Sequence, residues 1–164
     1  MGTRRKKYDT ENPRKFLVVI DDTPECERAV LYAAKRAKST RGRVVMLFVL
    51  VPGEFQHWLG VEDIMRAEAY EEAEKILSDY VAKIRDWCNE SADYIILEGQ
   101  RADQIVQAIE DDPSIAILVL AAGTESEGPG PLVSTLAGRM SGTFPIPITV
   151  VPGNITDEDM DAVT

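Results

Sequence analysis

Glycines, hydroxyls and carboxylates gather in two short stretches of this chain, and each suits the binding of a charged small molecule. The first runs from Ala121-Ala122-Gly123 through Gly128-Pro-Gly130-Pro to Ser134-Thr135-Leu136, between an apolar run and a helical pattern. Glycine lets a backbone come close to a ligand, and the first N–H groups of a helix carry partial positive charge. Such a loop can hold phosphate, with Ser134 and Thr135 as further donors. The same residues also suit an ordinary strand-to-helix connection whose glycines and prolines make turns. The second stretch is Asp21-Asp22-Thr23, directly after another apolar run. Its carboxylates, Asp21 foremost, can hold a cation. Equally, they can shape the turn before a helix opened by Pro24, a role expected mainly of Asp22.

A third stretch, Pro52 to Gly60, carries Phe55, His57 and Trp58. Its aromatics could stack on a flat base, but packing against a helix end is the expected role. Other chemistries lack their residues. Cys26, Cys88 and His57 are not at metal-ligand spacing, so both thiols are expected to pack as small apolar groups in a reducing compartment. No lysine follows the glycines as in a Walker loop, and no Gly-x-Ser-x-Gly elbow occurs. A non-catalytic role is expected, with slow hydrolysis of a bound nucleotide as its upper limit.

The elements that must position these residues follow from the apolar pattern. Five apolar runs recur, at Phe16–Ile20, Val44–Val51, Tyr94–Leu97, Ile115–Ala122 and Ile146–Val151. None alternates cleanly with polar residues, which suits parallel strands covered on both faces. Helical spacing fills the gaps: Cys26 to Ala37, the long segment Val61 to Asn89, Ile105 to Ile109, and Leu132 to Met140. The alternation predicts an open doubly wound, five-stranded parallel sheet in the order 3-2-1-4-5, with helices on both faces. Ligands of such sheets bind at the carboxyl ends of the strands, where the order reverses. That point brings Asp21, Asp22 and Thr23 together with the loop from Gly123 onward.

The chain has 164 residues and a formal charge of −10, which bounds it to one acidic domain. An acidic body argues against nucleic acid or an anionic membrane as partner. No apolar run approaches the roughly 20 residues of a membrane helix, and the basic start lacks the apolar stretch of a secretory signal, so a cytoplasmic location is expected. Residues 1–14 read as a basic flexible tail, 15–152 as the domain, and 153–164 as an acidic flexible tail.

Residues 15–152 resemble the universal stress protein family. The resemblance rests on Lys15-Phe-Leu-Val-Val-Ile-Asp21-Asp22-Thr23-Pro24, on Val44–Val51, on Glu98-Gly99-Gln-Arg-Ala102 and on Phe144-Pro145-Ile146-Pro147-Ile148-Thr-Val-Val151. It implies an adenine nucleotide alpha hydrolase-like fold, and either ATP binding or a regulatory dimer without nucleotide. In the ATP-binding branch Asp21 would lie near sugar and base, Val49 would contact adenine, and Gly123, Ser134 and Thr135 would match a glycine loop for ribose and phosphates. Gly123 to Ser134 is two residues shorter than the family spacing, and a serine stands for the third glycine. Gly128 and Gly130 would supply backbone N–H groups instead, and Mg²⁺, Arg101 or Arg139 would offset repulsion from the acidic body. Ile146, Ile148 and Val150 share a face of the last strand, and similar proteins dimerise there, so a homodimer is expected. The tandem Asp21-Asp22 also resembles bacterial receiver domains, but Val151-Pro152-Gly153 stands where their lysine would follow strand five.

Overall fold

The computed structural model describes residues 4–54, 61–126 and 128–164; Phe55, His57 and Trp58 lie outside them. Five strands form one sheet: β1 (Lys15–Ile20), β2 (Arg43–Leu50), β3 (Ala92–Glu98), β4 (Ile115–Ala122) and β5 (Ile148–Pro152). Every pairing is parallel and the order is β3-β2-β1-β4-β5, as the apolar pattern predicts. The helices α1 (Cys26–Thr40), α2 (Val61–Cys88) and α3 (Arg101–Asp111) occupy the predicted crossovers. The fourth crossover is a π-helix, Val133–Arg139, in which Met140 N donates to Thr135 O at 2.9 Å.

Successive side chains of a strand point to opposite faces, so a run buried on both must be apolar throughout. Phe16, Val18, Ile20, Val44, Met46 and Val119 pack with α1 and α2 on one face. Leu17, Val19, Leu47, Val49, Leu118 and Leu120 pack on the other with Ile105 and Ile109 of α3 and Leu136 of the π-helix. The outer strand β3 departs from this rule, since Tyr94 and Ile95 stand exposed at the sheet edge. Edge position, which composition does not encode, makes the difference.

Both charged ends are docked where flexible tails were expected. The Arg5 guanidinium donates to Ile109 O at 2.7 Å, and Lys6 N donates to Pro113 O at 2.7 Å. At the other end Asp157–Val163 forms α4. Thr156 caps it by accepting from Asp159 N, and three acidic residues sit in the first turn, where they favour the helix dipole. Met160 is fully buried against the α1 face of the core. Arg28 pairs with Asp157 at 2.7 Å and Lys35 with Asp161 at 2.5 Å. The acidic residues therefore face partners on α1 rather than only water.

This docking is checked by chemical denaturation. Met160→Ala is expected to cost about 2 kcal/mol, the low end for truncating a buried methionine. Asp161→Asn, which removes only an exposed ion pair, should cost under about 0.5 kcal/mol.

Candidate functional site

The site lies over the carboxyl end of β1, the strand flanked by β2 on one side and β4 on the other. The chain leaves β1 toward α1 on one face and leaves β4 toward the π-helix on the other. Diverging connections cannot close the space between them, which is why ligands of doubly wound sheets bind there. Two adjoining cavities occupy the gap. One, of about 240 Å³, is lined by Asp21, Asp22, Thr23, Glu25, Gly130 and Val133, among others. Its neighbour, of about 250 Å³, has an apolar wall that includes Val49, Val51, Ala73 and Ile76. Asp21, Asp22 and Arg101 line both.

Asp21 and Gly130, from separate loops, thus face one crevice. Asp21 Oδ1 accepts from Thr23 N at 2.9 Å and from the Thr23 hydroxyl. This is an Asx turn, so the turn-forming role expected of Asp22 falls to Asp21, one residue nearer the strand, while Asp22 is exposed. Gly130 has φ +107° and Gly128 φ +94°, values that favour glycine and let the loop turn sharply between β4 and the π-helix.

The remaining sequence-predicted residues scatter. Gly123 N donates to Pro129 O and Gly128 N donates to Glu125 O, both at 3.0 Å, so the loop closes on itself. Pro129 and Pro131 have no N–H to offer. Ser134 N donates back to Gly130 O, which leaves Leu132 and Val133 with the open N–H groups of the first helical turn. Thr135 lines a side cavity with Arg101, Gln100 and Val51, and Ser134 is exposed. Leu136 belongs to the core, fully buried, because the helical face that carries it turns toward α3. Arg139 is exposed on the last turn of the π-helix, away from the crevice, whereas Arg101 lies at its centre.

Glu25, which stands in no recognisable sequence motif, also borders the crevice. It follows Pro24 and precedes α1 as its N-cap, and its side chain enters the first cavity. Three residues separate it from Asp21 across a tight turn, a spacing that could have placed both carboxylates on one side. Asp21, Asp22 and Glu25 make this cavity acidic. Carboxylate oxygens suit Mg²⁺, which is commonly held by one or two carboxylates plus ligand phosphates. Among the described residues, no group of three or more His, Cys, Asp or Glu is gathered closely enough to hold a metal alone.

Behind Asp21, Cys26 is fully buried and its thiol donates weakly to Val19 O. Burial pushes this thiol up to about 11, helped by the charges of Asp21 and Glu25 and opposed by hydrogen bonds from the Asp21 backbone and Tyr80. Burial likewise pushes the Tyr80 hydroxyl up, with Cys26 and the carboxylates of Glu27 and Asp21 adding to it. Both groups are thus held neutral below the acidic cavity.

The model of the universal stress protein family matches residues 12–152 of this chain. Solved structures share its fold. UspA, the universal stress protein of Lactobacillus plantarum, superposes with a TM-score of 0.70 at 16% identity, over 85% of this chain and 98% of its own. A universal stress protein from Archaeoglobus fulgidus in complex with dAMP gives a TM-score of 0.59 at 17% identity, over 85% and 98%. A member from Arabidopsis thaliana with AMP bound gives 0.59 at 18% identity, over 90% and 95%. No curated protein matches by sequence.

The state of Cys26 is directly measurable. At pH 8 its thiol stays protonated, because its folded pKa lies well above the ordinary thiol value. A colorimetric disulfide reagent should therefore modify Cys26 only at the rate of unfolding, and fully in denaturant. Rapid native labelling of this residue, located by peptide mapping, would refute the buried placement.

Proposed function

Because the chain belongs to the universal stress protein family, we propose that it binds an adenine nucleotide in the crevice over β1 and acts as a regulatory module. The observation that carries this reading is the pair of adjoining cavities sharing Asp21, Asp22 and Arg101. The Val49, Val51 and Ile76 side suits a flat apolar base. Asp21 can accept from a ribose hydroxyl through its second oxygen. Gly130 and the first N–H groups of the π-helix suit a phosphate, with Arg101 beside them. The adenine nucleotides named for two solved relatives agree with this assignment. With ATP, Mg²⁺ would lie between the phosphates and Asp21 or Asp22 and offset their repulsion.

The same proposal includes a homodimer through β5. This strand ends the sheet, and Val150 is 37% exposed on it. An apolar strand at an open edge favours pairing with a second copy. Ile146, expected on that face, is buried in the core just before the strand, so the contact rests on Ile148 and Val150. Pro145 and Pro147 lie ahead of β5 and leave its backbone able to pair. Two buried free thiols agree with a reducing, cytoplasmic setting. Among the described residues no helix is long and apolar enough to cross a membrane.

Thermal unfolding tests the nucleotide reading. Ligand at a hundredfold its Kd stabilises by about 2.7 kcal/mol, so AMP or Mg²⁺-ATP is expected to raise Tm by several degrees. Asp21→Asn keeps an oxygen for the Thr23 turn but loses the charged second oxygen, and is expected to weaken binding about tenfold. No shift with either ligand at millimolar concentration would favour a nucleotide-free dimer. Sedimentation velocity tests the assembly: the wild-type chain should run as a dimer, and Val150→Lys should shift it to monomer at micromolar concentration.

A further inference from the structure

The loop over the proposed phosphate position is approached from below by a carboxylate of the protein itself. A Cβ built on Gly123 would stand 3.3 Å from Glu25 Oε1 and 3.2 Å from Gly128 O. One built on Gly153 would stand 2.5 Å from the Glu25 Cβ. Glu25 is therefore held between the stretch after β5 and the glycine loop, its stem against Gly153 and its carboxylate against Gly123. Gly153 in particular leaves room for it, since a Cβ there would collide with the Glu25 stem.

This position has an electrostatic consequence. A polyphosphate needs several donors aimed at its oxygens. Here the Gly123 and Gly128 N–H groups donate within the loop, and Pro129 and Pro131 have none. Gly130 and the first turn of the π-helix offer backbone donors on this cavity, and Arg101 lines it too. Against them stand Asp21, Asp22 and Glu25 on the same cavity. Glu25 is the one beside Gly123, where a chain of phosphates would extend along the loop.

We propose that Glu25 sets the charge of the ligand, so that the crevice takes an adenine nucleoside or monophosphate and rejects free triphosphate. The inference rests on the nucleotide reading above and narrows its ligand class. It is a specificity device: a fixed negative charge costs a ligand more with every phosphate that must lie near it. Adenosine, which places nothing beside Gly123, is unaffected.

Isothermal titration with adenosine, AMP and ATP, in EDTA to remove divalent ions, tests this on the full chain. The wild-type protein is expected to bind AMP about tenfold more tightly than ATP. Glu25→Gln keeps the size of the side chain and should bring ATP to within about threefold of AMP, with adenosine unchanged. Glu27→Gln removes the same charge from the α1 face that pairs with Lys83 and should leave the ratio as in wild type. Equal affinity for ATP and AMP in the wild type, an unchanged ratio in Glu25→Gln, or an equal gain in Glu27→Gln would each overturn the role of Glu25 while leaving the nucleotide reading intact. Failure of all three ligands to bind the wild type would instead overturn that reading, and this inference with it.

Discussion

β1 is hydrogen-bonded on both sides, to β2 through six residue pairs from Lys15↔Arg43 to Ile20↔Phe48 and to β4 from Lys15 to Val18. Parallel neighbours on both sides demand two crossovers, and a right-handed crossover on each side must run over opposite faces of the sheet. The chain after β1 and the chain after β4 are thereby forced apart. Burial holds this arrangement in place, since Leu17, Val18, Leu118 and Val119 are all inaccessible to solvent. The crevice is thus a consequence of the sheet, and the turns that border it are free to vary in chemistry.

What this chain puts on those turns is unusual in its sign. A phosphate site normally relies on open backbone N–H groups at a helix start. Here the glycine loop satisfies two of its own N–H groups, and three carboxylates border the cavity. One half of the crevice is walled by Val49, Val51 and Ile76, and the other is bordered by Asp21, Asp22 and Glu25. Asp21 serves two ends at once, because its Oδ1 fixes the turn at Thr23 while the residue lines both cavities.

The strands and long helices were readable because burial on both faces writes itself into composition. Val44 to Leu50 is apolar at nearly every position, and Ala73, Leu77 and Ile84 recur at helical spacing and are fully buried. Strand order followed from that alternation, and with it the meeting of Asp21 and Gly130. What could not be read depends on side chains crossing between elements. Leu136 lies beside two hydroxyl residues in sequence, yet helix rotation sends it into the core. Arg5 and Met160 dock on partners in distant segments, Arg5 on the Ile109, Asp112 and Ile115 carbonyls and Met160 on the α1 face of the core, which no local pattern reports. The start of α4 did carry a local signal, Thr156 followed by Asp157-Glu-Asp, yet the run of acidic residues reads as a flexible tail when its α1 partners are not in view. Glu25 escaped notice because its importance comes from Gly123 and Gly153, which lie about a hundred residues away or more.

The claim that two distant turns border one binding cleft is tested most directly by a backbone amide titration with AMP, followed by NMR. Saturable shifts are expected at Asp21–Thr23, Val49–Val51 and Gly130–Val133, all with one apparent Kd. Shifts confined to a single turn, or centred on the opposite ends of the strands near Arg14, Gly42 and Ser114, would contradict it.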